Sequence, residues 1–82
     1  MFTSSLYSPT KTLVWPGGDY SLTYLAAPCR RLIIGTSGDL VLTGLDGLNV
    51  IIPALPDGFV LDGEYSAIVA AGTTATNVII QW

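Results

Sequence analysis

From residue 12 onward the chain consists of short apolar runs separated by Gly, Pro and Asp. None of these runs reaches the roughly 10 to 12 residues that a helix would need. In the run at 20–26, Tyr20, Leu22 and Tyr24 alternate with polar residues, and this period of two is typical of a half-buried strand. The pattern therefore predicts an all-β fold.

We predict six to eight short antiparallel strands in one small sandwich or barrel of the jelly-roll type. Turn residues recur about every 8 to 12 positions, which is the spacing expected of such folds. The predicted strands are 12–15, 20–26, 30–35, 40–43, 48–53, 59–61, 64–71 and 77–82.

Three connections between these strands carry specific expectations. The sequence TSGD at 36–39 predicts a hairpin between the strands before and after it. Pro53 is expected to end its strand, because proline cannot donate to a β-ladder. The segment 59–71, which is interrupted by Asp-Gly at 62–63, is expected to form either one bulged strand or a tight hairpin.

The N-terminal stretch lacks the strand pattern and is rich in Ser, Thr and Pro. We expect residues 1–11 to form an arm that becomes ordered only against another molecule, and residues 12–82 to form a single β domain. The stretch has neither the basic region nor the apolar region of a secretory signal. The protein is therefore expected to be made in the cytoplasm and to remain there until it assembles.

Composition indicates a protein that associates with others. Half of the 82 residues are hydrophobic and 11% are charged, against roughly 25% charged residues in an average domain. A domain this small has a marginal core. One cysteine and no histidine exclude an intramolecular disulfide and a Cys/His zinc site. Association with further copies or with another protein is the remaining common source of stability.

The charge balance argues against two classes of partner. Three Lys and Arg residues stand against six Asp and Glu residues, whereas a nucleic-acid interface needs several cations on one face. No apolar stretch approaches the roughly 18 to 20 residues of a membrane span. We therefore predict neither direct nucleic-acid binding nor a membrane partner.

Residues with catalytic chemistry are few. Without histidine, the commonest general base is missing. Cys29 precedes Arg30 and Arg31, which would lower the pKa of its thiol, but no base accompanies it, and we expect it to be a small buried side chain. We assign no catalytic residue, no metal ligand and no cofactor. A hydrolase that uses turn carboxylates is kept as a third hypothesis, and the residues concerned, each expected in a turn close to glycine, are Asp19, Asp39, Asp46, Asp57 and Asp62.

The aromatic residues allow two interpretations. They form either a platform on which sugars stack or the core and subunit contacts of a small β domain. The platform would use Tyr7, Trp15, Tyr20, Tyr24, Tyr65 and Trp82. We favour the second interpretation, and the residues predicted to contact another subunit or a partner protein are Trp15, Tyr20, Tyr24, Tyr65 and Trp82.

Two strings, GTSGDL at 35–40 and GTTAT at 72–76, stand in order with an Asp-Gly loop at 46–47 and a Pro-x-Gly stretch at 56–58 between them. With the Arg-led strand before them, these motifs resemble the spike-base and head-decoration proteins of tailed phages and gene transfer agents. The resemblance covers about residues 30–82. Its motif residues are Gly35, Thr36, Gly38, Asp39, Gly72, Thr73, Thr74, Ala75 and Thr76.

The resemblance implies a small β-sandwich that assembles as a trimer or pentamer on the exterior of a capsid. There it would bind the major capsid protein, capping vertices or cementing capsomers, and in some cases hold a head fibre. We therefore predict a non-enzymatic structural protein of the virion. The alternative is a carbohydrate-binding or receptor-binding β module of a phage fibre.

Overall fold

A computed structural model describes residues 10–82, and residues 1–9 lie outside the described part. Residues 10–82 form antiparallel strands and no helix, so they contain no helix long and apolar enough to cross a membrane. The predicted all-β fold is confirmed. The nine strands are β1 (Thr12–Val14), β2 (Tyr20–Ser21), β3 (Thr23–Tyr24), β4 (Ala27–Ile33), β5 (Gly38–Thr43), β6 (Asn49–Leu55), β7 (Val60–Tyr65), β8 (Ala67–Val69) and β9 (Ile79–Gln81).

The strands make two sheets. Sheet A has the order β1-β9-β4-β3, and β7 also pairs with β4. Sheet B has the order β2-β8-β5-β6. Because Arg31 of β4 pairs with both Gln81 of β9 and Asp62 of β7, those two strands lie on opposite sides of β4.

The core contains apolar side chains from both sheets. Leu32 and Ile80 come from sheet A, and Leu40, Leu42 and Ile68 come from sheet B, and all five are fully buried. The alternation of Leu40 and Leu42 along β5 is the period of two expected where one face of a strand packs on the core. The two sheets therefore share one core.

The hairpin predicted at 36–39 is wrong, because β4 and β5 belong to different sheets. The connecting segment bonds elsewhere: the Ile34 amide donates to the Phe59 carbonyl at 2.8 Å, and Thr36 forms a bridge with Thr76. The segment thus carries the chain from sheet A to sheet B. The Asp-Gly loop at 46–47 does form a hairpin, between β5 and β6, in which Gly47 has a φ of 85°.

The single strand predicted at 20–26 is two strands, which is one reason why the count exceeds eight. Leu22 separates β2 in sheet B from β3 in sheet A, and its side chain is fully buried. The chain then turns at Leu25 and Ala26, with φ values of 50° and 61°. Such a tight turn is usually made by Gly or Asn, so neither Leu25 nor Ala26 signals it.

Two further expectations are corrected by the pairing of β6, β7 and β8. Pro53 lies inside β6 and does not end it, since β6 is an edge strand where proline is tolerated. The segment 59–71 is neither one strand nor a hairpin. β7 pairs with β4, and this pairing contains a register shift, as expected for a bulged strand. At Ser66 the chain crosses to sheet B, where β8 pairs with β5.

Thr10 and Lys11 are hydrogen-bonded to the last residue of the sequence. The Thr10 amide donates to the Trp82 carbonyl at 2.7 Å, and the Trp82 amide donates to the Lys11 carbonyl at 3.0 Å. Residues 10 and 11, the last two of the predicted arm, therefore continue the pairing of β1 with the end of the chain. The rest of the predicted arm falls on residues 1–9, outside the described residues.

Candidate interaction surfaces

The two motif strings bind each other. Thr36 and Thr76 exchange backbone hydrogen bonds of 2.9 and 3.3 Å. The Asp39 carbonyl accepts from the amides of Thr74 and Ala75 at 2.9 and 3.1 Å, and the Thr74 hydroxyl accepts from the Asp39 amide at 2.8 Å. We call residues 35–39 and 72–76 together the clasp.

Glycine is required in the clasp because the two backbones come very close. A Cβ atom on Gly38 would lie 2.5 Å from the amide nitrogen of Ala75, and one on Gly35 would collide with the carbonyl oxygen of Asn77. Only glycine allows such an approach. In the structure, the motif residues thus hold the start of β5 against residues 72–76, which precede β9.

Four aspartate side chains accept hydrogen bonds from backbone amides. Asp39 accepts from the Ala54 amide at 2.9 Å, and Asp19 accepts from the Ala70 amide at 2.8 Å. Asp46 and Asp57 accept from the amides of Leu48 and Ser37 at 3.0 and 2.6 Å. These bonds fix loops and strand ends.

The prediction that the carboxylates lie in turns is wrong for two of them. Asp39 lies in β5, and Asp62 lies in β7, where it forms a 2.6 Å salt bridge with Arg31. Among residues 10–82, no group of three or more His, Cys, Asp or Glu side chains is placed to hold a metal ion.

Cys29 is fully buried, as expected from the sequence. Its thiol lies 3.5 Å from the Tyr65 carbonyl. Burial raises the pKa of the thiol, and the charge of Glu64 raises it further. The lowering expected from the neighbouring arginines is therefore wrong, and the protonated thiol is a poor nucleophile.

Trp82 is buried by its own chain, with 5% of its surface exposed. Its indole nitrogen donates to the Leu22 carbonyl at 2.6 Å, and its ring lies 5.9 Å from that of Tyr24. The Lys11 ammonium sits 4.4 Å from the centre of the Tyr24 ring. These contacts bring two of the predicted interface residues together.

The other three aromatic residues lie on separate elements. Trp15 follows β1, Tyr20 lies in β2 and Tyr65 ends β7, and each is half-buried against the core. The Trp15 indole donates to the Gly18 carbonyl at 3.0 Å. A sugar-stacking platform needs open ring faces on one surface, and Tyr7, which that hypothesis also uses, lies outside the described residues. The subunit contact predicted for these residues remains a prediction.

A pocket of about 190 Å³ lies beside Trp82. Ligand pockets in proteins usually measure about 300 to 1,000 Å³, so this one is small for a cofactor or an oligosaccharide. Its lining residues are Thr10, Tyr24, Leu25, Ala27, Pro28, Arg30 and Trp82.

A group of exposed apolar side chains lies elsewhere, on the hairpin of β5 and β6. Leu45, Leu48, Val50 and Ile51 are 60%, 69%, 43% and 65% exposed. The sequence between residues 47 and 56 has no charged side chain. Sequence reasoning placed a strand here but missed that it is exposed. The available signal was the run of apolar residues on both faces of one strand, without a charge to protect it.

Comparison with known proteins gives one informative likeness. No protein-family model matches the chain. No curated protein matches it. A chain in a solved structure described as "Capsid of native GTA particle computed with C5 symmetry" matches with a TM-score of 0.71 and 27% identity, over 92% of this chain and 84% of that chain. The protein is thus similar, in fold and in sequence, to a chain from the capsid of a gene transfer agent (GTA), and this likeness supports a relation to phage and gene-transfer-agent capsid proteins.

Proposed function

We propose that this protein is a structural protein of a phage or gene-transfer-agent particle, which binds the major capsid protein on the outside of the shell. The observation that carries the proposal is the likeness to a gene-transfer-agent capsid chain over 92% of the sequence. A match of this length concerns the whole domain and not a shared local motif.

The chemistry of the described residues supports a structural role. Four of the five aspartates considered for catalysis accept backbone hydrogen bonds, and the fifth is paired with Arg31. The thiol of Cys29 is buried. What residues 10–82 do offer to other molecules is exposed apolar surface, and large apolar surfaces mark sites of protein association.

The proposed mechanism is the stabilisation of the shell by added contact area. A decoration, cement or spike-base protein binds across neighbouring capsomers. The surface buried in this way adds to the surface that the capsomers bury against each other. Permanent interfaces of this kind are large and apolar, which agrees with the charge-poor composition. We propose that the protein acts there as a trimer or a pentamer and, at a vertex, as a base for a fibre.

The test is binding to empty shells assembled from the major capsid protein of the same particle. Purified protein is titrated into shells, the mixture is sedimented, and the bound protein is counted per capsid subunit. We expect saturable binding and shells that resist heat better. Saturation at five copies per vertex would indicate a spike base, and saturation at three-fold positions would indicate cement. Absence of binding, together with absence of the protein from purified particles, would contradict the proposal.

A further inference from the structure

The outward face of sheet A carries a row of apolar side chains. The residues of β1, β9, β4 and β7 that pair with one another and pack on the core are Leu13, Ile80, Leu32 and Leu61. Successive side chains of a strand point to opposite faces of the sheet. The neighbouring residues, which pair across the same strands and therefore point outward, are Val14, Ile79, Ile33 and Val60. We call them the apolar row.

The two ends of the apolar row are open. Val14 and Val60 are 55% and 46% exposed, whereas the solvent-facing side of an antiparallel sheet is usually polar. Sheet B differs at the corresponding place. There the outward residue Val41 is 5% exposed and lies so close to Gly72 that a Cβ atom on that glycine would be 3.1 Å from Val41 Cγ2. The apolar row therefore makes the outward side of sheet A the one suited to cover by another protein.

A polar row lies parallel to the apolar row on the same outward face. Gln81 of β9 donates to the Thr12 hydroxyl of β1 at 3.4 Å, and the Arg31 guanidinium of β4 donates to Asp62 of β7 at 2.6 Å. The two charges compensate each other, so the two rows together carry no net charge, although the chain as a whole carries −3. A partner that fits this face is apolar and uncharged where it touches the apolar row.

The size of the face argues against a second copy as this partner. With strands about 4.8 Å apart and residues about 3.4 Å apart, the two rows cover roughly 20 by 15 Å, on the order of 300 Å². A stable interface buries about 800 Å² on each partner. Two copies that met through this face alone would therefore fall short of a stable dimer. A partner that extends beyond the face and also contacts other parts of the protein does not have this limit, because each further contact forms at high effective concentration.

We propose that the outward face of sheet A is the surface that lies on the major capsid protein, against an apolar and uncharged part of it. This assignment rests on the proposed function, and an assembled shell is a partner that extends beyond the face on every side. It also orients the protein. Since the two sheets lie on opposite sides of one core, sheet A is next to the shell and the outward side of sheet B points away from it.

The first test places an environment-sensitive dye on the face. Val60→Cys is labelled through its thiol, and the matched control is Ile51→Cys, an exposed position on the outward side of sheet B. Cys29 is buried and does not take the label. When empty shells of the major capsid protein are added, we expect the emission at position 60 to shift to the blue and to rise at least twofold. The emission at position 51 should stay unchanged.

The second test measures affinity for the same shells by co-sedimentation. Val14→Lys buries an ammonium group without a partner in the contact, and we expect it to weaken binding at least tenfold. Val14→Thr keeps the shape and adds one hydroxyl, so it should weaken binding less. Ile51→Lys is the control on the opposite side and should bind as the wild type does. Thermal unfolding checks that the three variants are folded.

The outcomes separate this inference from the proposed function. Wild-type binding with unchanged emission at position 60, or with equal affinity losses in Val14→Lys and Ile51→Lys, would overturn the assigned face and leave capsid binding intact. A dimer in solution that Val14→Lys dissociates would also overturn it, because a second copy would then cover the face. Absence of wild-type binding would refute the proposed function, and the assigned face with it.

Discussion

At the scale of single residues, Trp82 joins parts of the fold that are far apart in the sequence. Its ring fills the core beyond the end of β9, and its indole nitrogen holds the carbonyl of Leu22, where the chain crosses between the two sheets. The sequence suggested that Trp82 is buried against a neighbouring copy or the capsid. Its own chain already buries it.

We expect Trp82→Ala to destabilise the folded monomer. Removal of a large buried aromatic ring costs about 3 to 5 kcal/mol, which is most of the stability of a domain of this size. Urea denaturation measures the loss. Trp82→Phe keeps much of the ring but removes the donor to Leu22, so it should cost about 1 to 3 kcal/mol. A Trp82→Ala protein with unchanged stability that only dissociates would show that the side chain is an intersubunit contact.

Cys29 makes stability depend on pH in the alkaline range. Its pKa is raised above the ordinary value of 9.0 in the folded protein, so the unfolded chain loses the thiol proton first as pH rises. The folded state then binds more protons, and stability falls with pH. We expect the stability of the wild type relative to Cys29→Ala to be constant below about pH 8 and to fall above about pH 9. A pH-independent difference would contradict the role of burial.

At the scale of elements, one residue of β5 is bonded both to residues 74 and 75 of the clasp and to the end of β6, where the pairing of β5 with β6 shifts register. The carbonyl of Asp39 accepts from residues 74 and 75, and its carboxylate accepts from the amide of Ala54. Ala54 has a φ of 55°, an uncommon value for a residue with a side chain. Asp39 thus ties the irregular end of β6 to the motif strings on the other side of β5.

Replacement of the Asp39 carboxylate should loosen this junction. Asp39→Ala leaves the Ala54 amide without its acceptor, and we expect a loss of about 1 to 3 kcal/mol. Asp39→Asn retains a side-chain oxygen in the same place and should lose less than half as much. Thermal unfolding compares the two. Equal losses would mean that charge, rather than the hydrogen bond to Ala54, provides the stabilisation.

Local patterns predicted the strands better than their partners. Turn residues located β5, β6 and the Asp-Gly loop between them, and the structure pairs these two neighbouring strands as a hairpin. They failed at 36–39. Here β4 could pair with the next strand, or the chain could cross to the other sheet, and the outcome depends on hydrogen bonds to the distant segment 72–76. They also failed at Leu25 and Ala26, whose positive φ values have no local signature.

The candidate surfaces were predictable only in part. The motif strings were found by resemblance, but their mutual binding follows from the fold. The aromatic residues were selected for their type, whereas exposure depends on which side of each strand faces the core. The exposed edge of β6 emerges only once the sheet order is known.

At the scale of the whole molecule, we propose that residues 1–9 form the arm and that the domain begins at Thr10, whose amide is bonded to Trp82. We expect deletion of residues 1–9 to leave the fold intact and to abolish attachment to shells, because the Ser, Thr and Pro-rich stretch has no strand pattern of its own. Thermal unfolding and shell co-sedimentation measure the two effects.

Deletion of residues 1–11 provides the comparison. It also removes the hydrogen bonds of Thr10 and Lys11 to Trp82, and it should lower the melting temperature further. If deletion of residues 1–9 alone unfolds the domain, the division between arm and domain at residue 10 is wrong.

The position of β9 has a consequence for how the molecule folds. β9 lies between β1 and β4, and it brings Gln81 to Thr12, 69 positions earlier in the chain. Sheet A therefore cannot close until residues 79–81 have left the ribosome. Such non-local pairing places small β proteins among the slow folders, in milliseconds to seconds. During that interval the new chain depends on dilution or on chaperones to keep its apolar strands apart, and stopped-flow fluorescence of Trp82 would time the closure.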